Sequence, residues 1–592
     1  MVLPFVDRSA DQSYEFFCDG ITEDIINALA SIEDLKVISR TSSFYFKEHK
    51  STTREIGEQL QVANLLEGSV RISEQSIRIQ VQLIDIQADR AFWSATWNRS
   101  LENLFDTQDE ISLLIADQLR EQLGHLEISE RLVERATEDV SAYEWTLQGH
   151  HHFSRWNPED VTKAIACYER AIERDAKLID AHLGLADAYG FLATAGFAPR
   201  EASWKKAQES LATVRAMDPQ HAVLNYQLAN QVFFTEAKYA QAVAYTRIAL
   251  ETRPAYPEAQ QFMAFLYMLR GEMGLAATHL QFAKAIDPLN EETDFYLAYF
   301  AYRSHDYETA ITTCEHLLQG KPKSVPALVL LSYALLQAGK YEAVRLRLEA
   351  IPDELIMPDE QLGLRCLVSA KEKGAVDPDR LASLLAQSEN HRSFQADAYL
   401  FLVYAVLGKQ DAAFVLLEKV HTHHSAILLL AFHDPLSQNL RADPRYANHL
   451  QQLYALADPP NQPPKPRTPS SSALEPEKAQ ALSQQLLAFV EQERPYLNPS
   501  LSLRALAQQV GLHPNQLSWL LNSQLGNNFN EFINAYRVDH FKELVVDPGN
   551  AHISLLGLAY ESGFRSKTVF NTCFKKTVGM TPKAYQKAHR PS

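Results

Sequence analysis

The stretch Leu506-Ala507-Gln508-Gln509-Val510-Gly511-Leu512 returns in kind 52 residues later as Leu558-Ala559-Tyr560-Glu561-Ser562-Gly563-Phe564. Each copy sets a small residue four positions before a glycine. Two helices that cross closely need the small residue at their contact, and the glycine supplies a left-handed turn position between them. Leu517 and Leu520 follow the first turn, and Phe570 and Phe574 follow the second, as the inner faces of the next helices. Ala507, Gly511, Leu517 and Leu520, with Ala559, Gly563, Phe570 and Phe574, therefore form the expected cores of two helix-turn-helix units. A helix over 528–545, carrying Phe529, Phe532, Ile533, Tyr536 and Leu544, would join them, and an amphipathic helix over 478–492 precedes them.

The paired units end in Gly563-Phe564-x-Ser566-x-Thr568-x-Phe570, then Phe574-Lys575-Lys576, Gly579-x-Thr581-Pro582 and Tyr585. Together they resemble the DNA-binding domain of the AraC/XylS family over about 100 residues. The resemblance implies that the second helix of each unit, over 513–524 and 566–576, enters successive major grooves about one turn apart. Helix phase then turns Asn515, Ser518, Trp519 and Asn522 outward from the first, and Ser566, Lys567, Thr568 and Asn571 from the second. Asn pairs with adenine, Lys with guanine, and Ser or Thr with either. Trp519 is read either as a contact to a thymine methyl or sugar edge or as packing on the connecting helix. Arg504, Arg565, Lys575 and Lys576 are expected on phosphates. Thr572 stands where the family commonly has arginine, and Phe541 replaces a usual small residue.

Upstream, seven prolines fall between Pro459 and Pro476, beside Ser470-Ser471-Ser472. Such composition forms neither helix nor sheet, so 456–476 reads as a semi-extended linker. Before it lies a period. Pro219, Pro254, Pro288 and Pro322 are 35, 34 and 34 residues apart, with Ala207, Ala242, Ala276 and Ala310 twelve before each. Small residues let antiparallel helices approach, and proline ends the second of each pair. This pattern resembles the tetratricopeptide repeat and predicts an all-α solenoid over 142–455, whose groove is expected to take a protein or peptide. A degenerate unit is read around 398–420, with Ala413 in the small slot.

The first 125 residues read as a small α/β domain. Strands are predicted at 3–6, 35–38, 65–71, 77–85 and 91–97, with helices over 23–32 and 101–123. Thr52-x-x-Glu55 predicts a capping box. Leu3-Pro4-Phe5, Phe17-x-Asp19-Gly20 and Glu67-Gly68-Ser69-Val70-Arg71 resemble a TolB-like domain, which implies an accessory or sensing role. The first strand begins almost at Met1, where a few more residues are expected, and whether the chain starts upstream is left open.

Composition frames these parts. The 592 residues predict several domains, and 46% apolar with 22% charged residues is globular. The net charge of −17 argues against a chain that coats nucleic acid or anionic membrane. Yet residues 498–592 hold ten basic and five acidic side chains, which leaves −22 on the rest. That split predicts that the acidic body masks the basic module. Cys18, Cys167, Cys314, Cys366 and Cys573 form no C-x-x-C, and a cytoplasmic location is expected. The apolar run Ala327–Ala338 is too short to span a membrane. His150-His151-His152 and His421-Thr422-His423-His424 lack the spacing of metal ligands, so no metal or cofactor is expected. Asp7, Asp19, Glu23 and Asp24 read as helix caps and dipole partners, Ser203-x-x-Lys206 as chance, and no enzyme is expected.

The whole reads as a multidomain chain: α/β domain 1–125, solenoid 142–455, linker 456–476 and all-α double helix-turn-helix 477–592. Its expected function is sequence-specific binding of double-stranded DNA in transcription regulation, with the rest receiving a signal. Homodimerisation is left open. The alternative is a repeat-based interaction scaffold with a minor DNA-binding role.

Overall fold

The computed structural model describes the chain apart from residues 11–13, 33–34, 50, 74–75, 101–103, 130–131, 133–135, 156, 196–197, 353–357, 390–394, 421–424, 456–474 and 590–592. Most of the predicted linker and His421–His424 thus lie outside the described residues.

The molecule is mostly a helical solenoid, with a small four-stranded sheet before it and a helical region after it. The N-terminal part runs β1 (Val6–Asp7), α1 (Glu15–Ala30), α2 (Arg40–Glu48), α3 (Thr53–Leu60), β2 (Asn64–Ser73), β3 (Ser76–Asp85), β4 (Arg90–Ser100) and α4 (Leu104–Leu123). Strand order is β1-β2-β3-β4, with β1 parallel to β2 and the remaining pairs antiparallel. Ile77, Ile79, Val81 and Leu83 alternate into the core beneath α1 and α4. Thr52 and Glu55 make the expected capping box. Gly68 has a structural cause: a Cβ there would lie 2.4 Å from the Phe5 ring, which packs flat on the strand.

Three expectations are corrected. The strand read at 3–6 is displaced to Val6–Asp7, because Pro4 has no N–H to give and Phe5 donates to the Thr22 hydroxyl instead. No strand forms at 35–38. Val37 and Ile38 are buried, but the next backbone donor, Ser39 N–H, goes to the Ile286 carbonyl of the solenoid at 2.7 Å. Finally, α1 starts at Glu15 rather than 23, because Phe17, Ile21 and Ile25 carry the apolar stripe a further two turns upstream.

The solenoid helices run from Val140 to Leu453. The in-phase prolines act as expected. The helices Arg200–Met217, Tyr239–Thr252, Met273–Ile286 and Tyr307–Gly320 each stop two residues before one. Ala207, Ala242, Ala276 and Ala310 are buried where each helix meets its neighbour. A second period is visible only in the backbone. Ala237, Gly271, His305 and Gly339 all take positive φ, between 54° and 87°, at the turn between the two helices of each pair. Those positions are 34 residues apart.

Past the linker come the helix Pro476–Glu493 and the pair Leu503–Gln509 and Pro514–Ser523. The linking helix Phe529–Val546 follows, then Leu555–Glu561, Lys567–Val578 and Pro582–His589. Two cores serve this region. One gathers Leu486, Val490, Leu503, Ala507, Leu517, Leu520 and Phe532; the other gathers Phe541, Ala559, Phe570 and Phe574. Phe541 fills the second, its ring 4.6 Å from Phe570 and 5.3 Å from Phe574. Gly511 and Gly563 take φ of 69° and 90°. At 563 a Cβ would also lie 2.1 Å from the Tyr496 carbonyl oxygen, so only glycine fits.

Candidate nucleic-acid interface

The two candidate reading helices begin alike. Each is capped by the side chain just before it: His513 Nδ1 accepts from Asn515 N–H at 3.2 Å, and Ser566 Oγ accepts from Val569 N–H at 3.2 Å. Ser566, read as a base contact, thus spends its oxygen on the helix end. Beyond it Lys567, Thr568, Asn571 and Thr572 are exposed. Lys575 and Lys576 are exposed in the last turn. Lys576 reaches Glu531 on the linking helix at 3.0 Å, and Arg565 donates to Ser500 at 2.6 Å.

The first helix is placed otherwise. Its stripe of Asn515, Ser518 and Asn522 lies opposite Leu517, Leu520 and Leu521, as helix phase predicts, but it faces α4 of the N-terminal part. Asn515 is 8% exposed. Its carboxamide oxygen accepts from Arg120 Nη1 at 2.6 Å and from Ile128 N–H at 3.3 Å, and its Nδ2 donates to the Ile128 carbonyl at 3.1 Å. Donor and acceptor, the pair an adenine edge needs, are both engaged. Ser518 is fully buried, and Asn522 donates to its carbonyl at 2.9 Å. A Cβ on Gly124, just past α4, would sit 3.0 Å from Asn522 Oδ1. Trp519 packs, half-buried, against the first core. The readings of Asn515 and Ser518 as outward-facing are corrected for this conformation, because the outward stripe has found a protein partner.

The contact continues along α4. Arg120 is 1% exposed and ion-paired with Asp117. Asp117 also takes Arg504 Nε at 2.9 Å, so this expected phosphate ligand is committed to a carboxylate here. Glu121 Oε1 accepts from the Leu503 N–H at 2.7 Å, and Gln122 takes the Asn528 and Asn530 amides at 3.2 and 3.3 Å. Burial pushes the Glu121 carboxyl up to about 7, against the Leu503 hydrogen bond that holds it down, with Asp117 adding repulsion and Gln118 and Arg120 opposing it. The contact between α4 and the C-terminal region thus runs through one ion pair and a set of directed hydrogen bonds. Nothing in the sequence of α4 marked it, because Asp117, Arg120 and Glu121 read as an ordinary solvated helix face.

The N-terminal carboxylates, read as helix caps, are held instead in turn bonds and ion pairs, and α1 has no side-chain cap. Asp7 accepts from Ser9 and Tyr14 N–H at 2.8 and 2.9 Å, Asp19 pairs with Lys47 at 2.6 Å, and Glu23 pairs with Arg40 at 3.0 Å. Asp24 accepts from Gln108 at 3.0 Å and from Tyr143, and burial raises it to about 7. Among the described residues no cluster of potential ligands could hold a metal, and no helix is long and apolar enough to cross a membrane.

Residues 506–588 match the model of a helix-turn-helix domain, and residues 301–355 match that of a tetratricopeptide repeat. The chain is 36% identical over 184 residues to "Putative adenylate cyclase 3" of Rhizobium meliloti (strain 1021), covering 31% of each. It is 29% identical over 109 residues to the melibiose operon regulatory protein of Escherichia coli (strain K12), covering 18% of this chain and 34% of that one. An uncharacterized HTH-type transcriptional regulator of Staphylococcus aureus (strain COL) is 31% identical over 91 residues, 15% of this chain and 12% of that one. The chain thus spans about a third or less of the length of these curated relatives. The helix-turn-helix match and two relatives named as regulators support DNA-binding regulation, and the repeats fit a protein-interaction role.

Proposed function

We propose that the protein is a sequence-specific regulator of transcription that binds double-stranded DNA through two helix-turn-helix units, and that the conformation described here is its closed, DNA-free form. One observation carries this reading. The second candidate helix presents Lys567, Thr568 and Asn571 to solvent, while the equivalent stripe of the first is seated on α4. In the open form Asn515, Ser518 and Asn522 would face one major groove and Lys567, Thr568 and Asn571 the next, with Arg504, Arg565, Lys575 and Lys576 on phosphates. The N-terminal part, with its TolB-like resemblance, and the repeat array would receive the signal that frees the module. The reading gives the chain no reaction of its own.

The test is retention of sheared genomic DNA by full-length protein, by Arg120→Ala and by residues 476–592, which contain both cores of the region. Two half-sites about one helical turn apart, recovered best by the variant and the fragment, are expected. Sequence-blind retention by all three that vanishes with salt would favour the scaffold reading.

A further inference from the structure

A cavity of about 590 Å³ opens on the repeat array, outside the interface described above. That is the size of a site for a small organic molecule. Its walls are Phe265, Phe295, Tyr296, Tyr299, Tyr333 and Tyr399. The rings interlock, Phe265 lying 6.0 Å from both Tyr296 and Tyr299, and Tyr333 6.4 Å from Tyr399 at 78°. Aromatic faces carry partial negative charge and attract cations.

The charged groups point the same way. Among the described residues Lys321 is the one basic residue of the lining, and Glu291 holds it at 2.6 Å; behind the wall the buried Arg303 donates to Tyr299 Oη at 3.1 Å. Asp434 is occupied, accepting from Tyr302 Oη at 2.6 Å and Leu436 N–H at 2.8 Å. Two carboxylates remain. Glu292 is exposed, with partial burial raising its carboxyl and the nearby Lys321 opposing that. Glu360 is 7% exposed, and its carboxyl accepts from Tyr399 Oη at 3.2 Å. Burial pushes Glu360 up to about 7, with Tyr399 opposing and Asp359 adding repulsion. A carboxyl so buried favours its neutral form, and a cation brought beside it would stabilise the ionised one.

We propose that this chamber is a binding site for a small organic cation, a protonated amine or quaternary ammonium whose apolar body lies on the rings and whose charge meets Glu360 and Glu292. The site stands on its own geometry and not on the DNA-binding reading, so its test needs no DNA. Binding drives Glu360 to its ionised form and sends its proton to the buffer.

Full-length protein is titrated calorimetrically at pH 7 with choline, with benzyltrimethylammonium and with 3,3-dimethyl-1-butanol, the uncharged isostere of choline. Each run is made in two buffers of different ionisation enthalpy. Saturable one-site binding of a cation with buffer-dependent proton release is expected, with no binding of the isostere. Glu360→Gln should abolish the proton release and weaken binding by about tenfold or more. Glu292→Gln, at an exposed position where folding is not at stake, should weaken it without removing the release. Equal binding of isostere and cation would overturn the proposal, as would no saturable heat from either cation or Glu292→Gln and a folded Glu360→Gln that bind as wild type. Binding of a lysine-containing hexapeptide where both small cations fail would also overturn it, and make the chamber part of a peptide groove.

Discussion

Arg120 and Asn515, 395 residues apart, share a 2.6 Å hydrogen bond in which the arginine takes the carboxamide oxygen that a base-reading asparagine needs. The bond is charge-assisted, shut away from water and backed by Ile128, whose N–H donates to the carboxamide oxygen and whose carbonyl accepts from its nitrogen. A hydrogen bond to a charged group contributes about 1.5–3 kcal/mol. Arg120→Ala in the full chain is therefore expected to tighten DNA binding about tenfold or more, towards that of residues 476–592. Fluorescence anisotropy on one operator at fixed salt measures it. Equal affinity of wild type, variant and fragment would mean that the contact holds nothing back.

Glu121 makes the closed contact sensitive to pH. Its carboxyl sits at about 7 when buried against Leu503 and would return towards its ordinary 4.5 on opening. The closed form thus binds the extra proton between those limits. Its added stability is full below 4.5 and is lost as pH rises through 7. Full-length protein should bind DNA several-fold more tightly at pH 8 than at pH 6, against a flat profile for residues 476–592. Glu121→Gln, neutral throughout, should bind weakly at both. Superposable profiles for wild type and variant would remove Glu121 from the mechanism.

Reversing Lys575 and Lys576 to glutamate tests the phosphate contacts. Both lie in the exposed last turn of the second helix, where Lys576 pairs with Glu531. The double variant should lose affinity across all sequences and lower the slope of log K against log salt by about 2. Circular dichroism should be unchanged. An unaltered slope would place the phosphate backbone elsewhere.

The left-handed turns of the array predict a gain in stability. Ala237 holds φ 54° where the unit one period on has Gly271. A non-glycine residue there costs about 1 kcal/mol. Ala237→Gly should raise the midpoint of the array's denaturation by the equivalent of about 0.5–1 kcal/mol. Gly271→Ala, whose Cβ would meet the His433 ring at 2.7 Å, should lower it. A fall with Ala237→Gly would show that the turn is not strained.

Local rules made much of this legible. Four in-phase prolines and the alanines before them are nearest-neighbour requirements, so the repeat could be read without its surroundings. The small residue and glycine at 507/511 and 559/563 are of the same kind. What escaped depended on partners far along the chain. Val37 and Ile38 have the character of a strand, yet the donor beside them pairs with Ile286 in a helix turn. Helix phase sets Asn515, Ser518 and Asn522 opposite Leu517 and Leu520 on the first candidate helix, but phase states only that a face is free to meet something. That the something is α4 follows from Arg120, Asp117 and Glu121, which are indistinguishable from solvated charges until the module lies on them.

One side chain cannot hold two edges at once. If Asn515 is lent to a base pair, the final turns of α4 are uncovered together, with Asp117, Arg120 and Glu121 turned out of their burial. Linkage requires the exchange to be mutual: whatever loosens α4 strengthens the grip on DNA, and DNA in turn loosens α4 by the same factor. The operator is then an effector in its own right. Its occupancy would print a fresh charged surface on the N-terminal part, and a partner able to read that surface would learn from it that the site is taken.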